Sequence, residues 1–325
     1  MQEAKYWRIE GDSIRCLLCP QQCLIREGRT GLCSGRQNVN GTLYATNYGE
    51  TVSVAVDPIE KKPLYHFYPG AHILSIAPNG CNLRCGFCQN WQISQGKAAT
   101  RFISPEELLQ LTTRENSIGV AYTYSEPLIW FEYLLDAGEF LHAHGAKNVL
   151  VTNGMINDGP LEELIPVIDA ANIDLKAMDE GFYREQGGNL RTVLNTIERV
   201  KPHWHIELTN LIIPTKNDSQ EALCRLIDFV AELDPEIPLH FSRYFPHYKY
   251  EIPPTPASTL THAWELARKR LKYVYLGNIW TENTQDTRCP QCNALLIKRQ
   301  LFTSETEGLQ GRNCRRCGYG INVVL

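Results

Sequence analysis

Three cysteines stand close together in a spacing suited to metal chemistry. Cys81, Cys85 and Cys88 form a Cys-x3-Cys-x2-Cys motif directly after the apolar run 73–77, which predicts a buried strand. Three thiolates can hold three irons of a cubane 4Fe–4S cluster, which usually takes four cysteines. The fourth iron is then open to a ligand from outside the protein, as in reactive metal sites. A cysteine-rich zinc knuckle and part of a ferredoxin-type motif are the alternatives.

A second cysteine group precedes this triplet. Its members, spaced Cys-x2-Cys-x3-Cys-x9-Cys, are Cys16, Cys19, Cys23 and Cys33. Proline and glycine residues lie between them, which indicates a loop-rich module held by metal ligation instead of an apolar core. Four thiolates complete either a tetrahedral zinc site or a second iron–sulfur cluster. We expect structural zinc here, with the second cluster as the alternative.

A third cysteine group lies near the end of the chain. Two Cys-x2-Cys pairs about twenty residues apart are typical of a zinc ribbon or a rubredoxin-like module, and they consist of Cys289, Cys292, Cys314 and Cys317. Basic residues surround them, which we interpret as charge compensation of a zinc–thiolate site instead of an RNA-binding surface. The remaining cysteine, Cys224, lies in an apolar helical pattern and is expected to be a buried, inert thiol.

The elements between these groups must position the triplet. From 71 to 280 the chain alternates apolar runs with amphipathic patterns, which predicts βα units, a parallel sheet and an α/β fold. We predict strands near 73–77, 118–124, 148–152, 171–176, 204–213, 238–245 and 273–277. We predict helices near 105–115, 127–144, 160–168, 190–201, 219–233 and 257–271. This number of units favours a partial (β/α)6 TIM-type barrel, in which reactive groups sit at the carboxyl ends of the strands.

Polar residues alternate along three of the predicted strands. Side chains two positions apart share a face of a strand. The polar faces comprise Asp174 and Lys176; His203, His205, Glu207 and Thr209; and His240, Ser242 and Tyr244. A solid barrel interior would be filled with Val, Ile and Leu, so this ring predicts a ligand-filled cavity. We expect His205, Glu207, His240 and Tyr244 to face it.

The triplet, with Phe87 before its last cysteine, resembles the signature of the radical S-adenosylmethionine (radical SAM) enzymes. The resemblance implies that SAM chelates the open iron and that one electron from the cluster cleaves its sulfonium. The resulting 5′-deoxyadenosyl radical abstracts a hydrogen atom from a substrate, while the protein binds, orients and shields. It also implies a reductant protein such as flavodoxin or ferredoxin.

Three further runs are similar to the activating enzymes of glycyl-radical proteins. Glu126 stands in Tyr-Ser-Glu-Pro where that branch often has Gly-Gly-Glu-Pro, and Asn153 in a matching Thr-Asn-Gly. Asp174 and Lys176 belong to Ile-Asp-Leu-Lys, similar to the activase Leu-Asp-Leu-Lys. The resemblance implies that Glu126 accepts a hydrogen bond from the SAM amino group. It likewise implies that Asp174 binds the ribose, that Lys176 pairs with the methionine carboxylate, and that Asn153 belongs to the SAM pocket.

A narrower resemblance covers nearly the whole chain. The first cysteine group, the run Asp-Pro-Ile-Glu-Lys-Lys-Pro-Leu-Tyr-His-Phe-Tyr-Pro-Gly at 57–70 and the terminal cysteines resemble the radical SAM member of the AmmeMemoRadiSam system. That family is associated with AMMECR1-like and Memo-like proteins, which are therefore expected partners. Lys61 and Lys62 within the run are expected to be solvated.

Composition limits where the protein acts. The net charge is −4, and no run of about 18 apolar residues occurs, so neither nucleic acid nor a membrane is an expected partner. The chain begins with polar residues and has 12 cysteines, which favours metal sites in a cytoplasmic protein over disulfides. We predict three domains: a cysteine-rich module at 1–70, the partial barrel at 71–280 and a zinc-ribbon-like module at 281–325.

These patterns lead to ranked hypotheses for function. The first is a radical SAM enzyme that abstracts hydrogen from a protein substrate, as the glycyl-radical activases do. The second is radical modification of a small molecule or RNA. A third, of another class, is a non-catalytic iron–sulfur or zinc scaffold that recruits partner proteins. The polar residues at the strand ends argue against a scaffold, because a scaffold needs no SAM pocket.

Overall fold

Short antiparallel strands form the N-terminal region of the computed structural model, which describes residues 1–279, 281, 283–300 and 302–325. The strands are β1 (Gln2–Glu3), β2 (Trp7–Glu10), β3 (Ser13–Cys16), β4 (Leu24–Arg26), β5 (Arg36–Val39), β6 (Thr42–Ala45) and β7 (Glu50–Thr51). β3 pairs with β2 and β4, and β6 pairs with β1 and β5. Cys16 ends β3, and the loops before and after β4 carry Cys19, Cys23 and Cys33.

A mixed, mostly parallel sheet forms the centre of the protein. Its region of the chain contains β8 (Ser53–Pro58), β9 (His72–Ala77), β10 (Arg101–Phe102), β11 (Gly119–Tyr122), β12 (Lys147–Thr152), β13 (Ala170–Asp174), β14 (His205–Ile212), β15 (Leu239–Arg243) and β16 (Val274–Gly277). The sheet order is β8-β9-β11-β12-β13-β14-β15-β16, while β10 pairs with β7 instead. β8 runs antiparallel to β9, and the strands from β9 to β16 are parallel. In the described part of the chain, β8 and β16 remain edges, so the barrel is open.

Helices follow the parallel strands and cover the sheet. They are α1 (Trp91–Ser94), α2 (Pro105–Arg114), α3 (Phe131–Ala143), α4 (Asp158–Leu164), α5 (Glu180–Glu185), α6 (Leu190–Val200), α7 (Gln220–Leu233) and α8 (Ala257–Ala267), with 3-10 turns at Ile59–Lys61, Pro127–Trp130 and Ile165–Val167. Side-chain caps begin several of them; Ser104, for example, accepts from the Glu107 backbone N–H at 3.2 Å. Among the described residues, no helix has the length and apolar character needed to cross a membrane.

The C-terminal region packs beside the open edge of the sheet. It contains β17 (Thr287–Arg288), β18 (Leu295–Gln300), β19 (Thr303–Glu305), β20 (Leu309–Gln310) and β21 (Asn313–Cys314). The Val324 backbone forms two hydrogen bonds with the segment after β8. Its N–H donates to the His66 carbonyl, and its carbonyl accepts from the Tyr68 N–H, each at 2.8 Å. Arg299 is buried and stacks 4.3 Å from the Tyr65 ring centroid. These contacts fix the region against the barrel.

The predicted α/β fold with a parallel sheet is confirmed, and each predicted strand and helix has a counterpart. One difference concerns the run 52–56, assigned to the N-terminal module. It forms β8 and pairs with β9, from Ser53 opposite Ala77 to Pro58 opposite His72. The central sheet therefore extends across the predicted boundary at residue 70. The other predicted boundary, residue 280, lies outside the described residues.

Candidate active site

A cavity of about 830 Å³ opens at the carboxyl ends of the parallel strands. Cys81, Cys85 and Cys88, on the loop after β9, all line it, and none forms a disulfide. The loop begins at Gly80, whose φ of +97° is one that other residues rarely adopt. A Cβ at Gly80 would collide with the Cys33 carbonyl oxygen. Glycine is therefore required here for the triplet loop to lie against the N-terminal module.

The triplet sulfurs have polar neighbours that suit a bound metal cluster. Cys81 Sγ accepts from the Leu83 backbone N–H at 3.3 Å and lies 3.7 Å from Asn153 Nδ2. Cys88 Sγ lies 3.2 Å from Ser94 Oγ. Burial raises the pKa of the Cys85 thiol to about 11, although the positive charge of Lys176 acts to lower it. Thiols in such a site ionise on binding a metal, and hydrogen bonds to sulfur then stabilise the thiolates.

Glu126 lines the cavity after β11, immediately before the 3-10 turn Pro127–Trp130. Its Oε1 accepts from Leu128 N at 3.0 Å and from Thr152 Oγ1 at 2.7 Å, and its Oε2 accepts from Asn153 N at 2.9 Å. Burial raises the pKa of its carboxyl to about 7 against these hydrogen bonds. Oε2 keeps room for another donor, such as an ammonium group.

Asn153 connects this region to the triplet. Its side-chain amide donates to Asn82 Oδ1 at 2.9 Å, and its own Oδ1 accepts from the Met155 N–H at 2.9 Å. Because Asn82 adjoins Cys81 in the chain, Asn153 orients the triplet loop as well as lining the cavity.

Asp174 ends β13 and Lys176 follows it by two residues, and both line the cavity. Lys176 Nζ is 2.9 Å from Asp174 Oδ2. Burial alone would lower the pKa of Lys176, but the Asp174 carboxylate raises it above its usual value. The pair therefore offers a fixed positive charge beside a half-exposed carboxylate, which suits a ligand with both a carboxylate and hydroxyl groups.

Two predicted cavity residues lie deeper than expected. His240 and Tyr244 line the cavity, but His205 and Glu207 do not. Glu207 is fully buried and accepts from His66 N at 2.6 Å, His205 Nε2 at 3.1 Å and His240 Nε2 at 2.6 Å. The prediction that His205 and Glu207 face the cavity is therefore wrong. Both lie below the cavity lining, where the Glu207 carboxylate accepts from these three donors.

The charge state of Glu207 follows from these donors. Burial would raise the pKa of its carboxyl, but the hydrogen bonds from His205 and His240 hold it well below its usual range. Glu207 is thus an ionised group that orients His240 from below.

Two further polar side chains have unpartnered buried atoms at the cavity: Asn172, which sequence reasoning did not select, and Thr209, which it placed on the polar face of its strand. Asn172 Oδ1 and Thr209 Oγ1 lack a hydrogen-bond partner among the described residues. Since buried polar atoms are normally paired, they indicate the place of a bound ligand. Asn172 precedes Asp174 by two positions on β13, so strand alternation offered a signal for it.

Lys62 was expected to be solvated, and the structure corrects this. Its side chain is only 1% exposed, it lines the cavity, and its Nζ is 2.6 Å from Asp57 Oδ2. Tyr124 also donates to this carboxylate, and its ring lies 5.0 Å from Lys62 Nζ. Burial lowers the pKa of Lys62 to about 8. Lys61 is half exposed, as expected, but it also lines the cavity, and its Nζ is 2.8 Å from Asp57 Oδ1.

The C-terminal cysteines form a compact group able to hold a metal ion. Among the described residues, only Cys289, Cys292, Cys314 and Cys317 form a set of possible ligands within 4.8 Å of one another. The Cys289–Cys317 and Cys292–Cys314 sulfur separations are 3.5 and 3.7 Å. A tetrahedral ion with bonds of about 2.3 Å separates its ligand sulfurs by about 3.8 Å, so one ion fits between them.

Comparison with known proteins relates the cavity-forming part of the chain to a described superfamily. Residues 75–227 match the model of the radical SAM superfamily. An uncharacterized protein of Methanocaldococcus jannaschii is 43% identical, with all of both chains covered. The pyruvate formate-lyase-activating enzyme of Clostridium pasteurianum is 26% identical over 47% of this chain and 67% of its own length.

A solved domain of a pyruvate-formate lyase-activating enzyme from Bacteroides vulgatus is 21% identical, covers 49% of this chain and 99% of its own, and has a TM-score of 0.43. The matched segment 75–227 contains the cysteine triplet, Glu126, Asn153, Asp174 and Lys176. The radical SAM homologues are enzymes that use a 4Fe–4S cluster, SAM and a reductant. Residues 75–227 are therefore a radical SAM superfamily domain, and the chain is homologous to the pyruvate formate-lyase-activating enzymes.

Proposed function

We propose that the chain cleaves SAM reductively and abstracts a hydrogen atom from a substrate protein. One observation carries this proposal: the cysteine triplet and the polar strand ends open into the same cavity. A volume of about 830 Å³ lies in the range of sites that bury a ligand of the size of SAM. A scaffold would not require unpartnered polar atoms such as Asn172 Oδ1 in the cavity that the cysteines line.

Each cavity residue has a proposed part in this reaction. A 4Fe–4S cluster on Cys81, Cys85 and Cys88 would supply the electron that cleaves SAM and so begin hydrogen abstraction. Lys176 would pair with the carboxylate of SAM, and Glu126 Oε2 would accept from its ammonium group. Asp174 is a ribose ligand in this proposal.

The strand-end groups next to Asp174 complete the proposed pocket. Asn172, Thr209, His240 and Tyr244 supply hydrogen bonds and shape around the substrate. Glu207 acts through His240 and not by contact, which replaces the role first expected for it.

The cavity mouth favours a protein substrate over a small molecule. Phe245 and Phe302 line the cavity and are 40% and 49% exposed. Trp91 and Tyr248 adjoin the lining residues Asn90 and His247 in the chain; they stack with ring centroids 5.3 Å apart and remain partly exposed. Exposed aromatic side chains around a cavity suit docking of a polypeptide segment. The relatives named as activating enzymes are consistent with this proposal.

The flanking groups and partners complete the proposal. Zinc is the proposed ion of the C-terminal cysteines, because their sulfur separations match a tetrahedral thiolate site. Flavodoxin or ferredoxin would be the reductant, and AMMECR1-like or Memo-like proteins are proposed partners. The three-domain division and a cytoplasmic location also remain proposals.

SAM cleavage tests the proposed chemistry directly. After anaerobic reconstitution with iron and sulfide, we expect wild type to release 5′-deoxyadenosine and methionine when dithionite and SAM are added. Cys85→Ala should release neither, whereas Cys224→Ala, a matched change outside the cysteine groups, should behave as wild type. A wild-type protein that holds its cluster but neither binds nor cleaves SAM would refute the proposal.

Equilibrium binding of SAM tests the proposed pocket. Lys176→Met should weaken SAM binding about tenfold or more, since a charged hydrogen bond contributes about 1.5–3 kcal/mol. The same change at the exposed Lys97 is the control. Equal SAM affinities of the Lys176→Met and Lys97→Met variants would show that Lys176 does not contact SAM.

A further inference from the structure

The four cysteines of the N-terminal module surround a small cavity of their own. Its lining includes Cys16, Cys19, Cys23 and Cys33, together with Leu18, Ile25, Leu32 and Ile129. Three of the cysteines are buried, Cys23 is partly buried, and none is in a disulfide. The group is thus held around one enclosed point and shielded from solvent, as a metal centre would require.

The sulfurs of this group are too far apart for a single zinc ion. All four residues are described, yet no three of their Sγ atoms lie within 4.8 Å of one another. Zinc with bonds of about 2.3 Å would bring all four within about 3.8 Å of one another. A cubane cluster binds each thiolate to a different iron, so its ligand sulfurs are separated by the width of the cluster. The contrast with the compact C-terminal group shows that the two modules suit different metal centres.

A buried arginine at the same cavity lacks acceptors for part of its guanidinium. Arg36 is 1% exposed and lines the cavity. Its Nη1 donates to Glu132 Oε1 at 2.6 Å, but Nε and Nη2 have no partner among the described residues. Buried guanidinium donors require acceptors, and the sulfurs of an anionic cluster would provide them.

The N-terminal cavity adjoins the triplet loop. Asn82, next to Cys81, lines the cavity. The Arg84 guanidinium donates to the Leu32 carbonyl on one side and to the Cys81 carbonyl at 2.8 Å on the other. The Cys33 carbonyl lies against Gly80. Cys33 and Cys81 therefore lie on backbone segments in direct contact.

We propose that Cys16, Cys19, Cys23 and Cys33 hold a second iron–sulfur cluster that supplies electrons to the triplet. With a cysteine on each iron, this cluster has no open position, so its chemistry is electron transfer. It gains one electron from a low-potential flavin or iron–sulfur protein and is oxidised again when that electron reduces the triplet's cluster. The electron-transfer role rests on the proposed function; the presence of the second cluster does not. This replaces the zinc expected from the sequence.

Metal content of a variant without the triplet is the test. Cys81→Ala, Cys85→Ala and Cys88→Ala are combined, the protein is reconstituted anaerobically, and iron, zinc and acid-labile sulfide are measured beside wild type and Cys224→Ala. Circular dichroism confirms that the variant is folded. We expect about four irons in the variant and about eight in wild type, since each cubane holds four. Zinc should remain near one per chain in both.

The outcomes separate this inference from the proposed function. A folded triple variant without iron overturns the inference, and two zinc ions per chain would show what the module holds instead. Four irons in both proteins would keep the second cluster and refute the proposed function. Cys19→Ser combined with Cys33→Ser should remove only the second cluster.

Magnetic coupling tests the contact between the two centres. In reduced wild type, the electron paramagnetic resonance spectrum should show broadening from spin–spin interaction that both cluster-deletion variants lack. A wild-type spectrum equal to the sum of the two variants' spectra would refute electron supply to the triplet. Arg36→Lys should shift the midpoint potential of the cluster in the triple variant, because a hydrogen bond to sulfur is altered.

Discussion

Replacement of Glu207 tests whether it supports the site from below. Glu207→Ala removes the acceptor shared by His66 N, His205 and His240 and leaves these donors buried. Breaking such a buried pair costs about 3–5 kcal/mol. Glu207→Gln keeps the shape but exchanges charged hydrogen bonds for neutral ones, so we expect a loss of about 1–3 kcal/mol.

Thermal unfolding converts these energies into measurable shifts. At about 2.1 cal/mol/K per residue, the unfolding entropy of 325 residues is about 0.7 kcal/mol/K if the chain unfolds as one unit. Glu207→Ala should then lower Tm by about 4–7 °C and Glu207→Gln by about 2–4 °C. Glu198→Gln, on the exposed face of α6, is the matched control and should leave Tm unchanged.

The pH dependence of stability gives Glu207 a second signature. The pKa of its carboxyl is lower in the folded than in the unfolded protein, because the His205 and His240 hydrogen bonds favour the ionised form despite burial. Its contribution is therefore present above the unfolded pKa of about 4.3 and is lost as pH falls towards the folded value. Glu207→Gln should flatten the decline of Tm below about pH 5.

One pattern of results would refute this reasoning. If Glu207→Ala keeps the wild-type Tm and acid dependence but loses SAM cleavage, then Glu207 contacts the reacting molecules and does not act through His240.

Three further predictions concern other parts of the molecule. SAM binding should tighten as pH rises through about 7, because burial raises the pKa of Glu126 to about 7 and its carboxylate forms above that pH. Glu126→Gln should remove that dependence and weaken binding about tenfold, whereas an unchanged pH profile in this variant would contradict the assignment. Arg299→Met removes hydrogen bonds to Gln285 O, Thr287 Oγ1 and Tyr65 O. With about 2 kcal/mol lost, limited proteolysis of the C-terminal region should accelerate roughly 30-fold, and a wild-type rate would show that other contacts hold this region. Cys292→Ser should lower bound zinc by about one per chain without altering iron content; retained zinc would place the ion elsewhere.

The elements of the central sheet were predictable because local patterns determine them. Buried parallel strands are nearly continuous apolar runs, and β9 and β11 are buried at almost every position. Capping residues such as Ser104 fix where helices begin. The N-terminal strands were mostly missed because they are short and carry polar or exposed residues, as in β2. Their positions depend on tertiary contacts that no local pattern records.

The sequence predicted which strand face points towards the candidate site, but not which residues on that face reach the cavity. Alternation places His205, Glu207 and Thr209 on one side of β14, but only the last reaches the cavity. Strand register explains why: Thr209 lies opposite His240, which also lines the cavity, so Glu207 is one pleat deeper. Sequence period gives the face of a strand, whereas the level of the cavity floor depends on how neighbouring strands align.

The metal groups show the same limit in another form. Both flanking modules contain a Cys-x2-Cys pair, so the local motif alone cannot separate one ion from a cluster. Folding brings the C-terminal sulfurs to 3.5 and 3.7 Å in pairs, but leaves the N-terminal set wider around its cavity. Position separates them as well. Arg84 and Gly80 join the N-terminal module to the triplet loop, whereas Arg299 of the C-terminal region donates to Tyr65, on the segment after β8. A redox centre is useful only where electrons can reach the cluster proposed on Cys81, Cys85 and Cys88, and the N-terminal module contacts the loop that carries these cysteines.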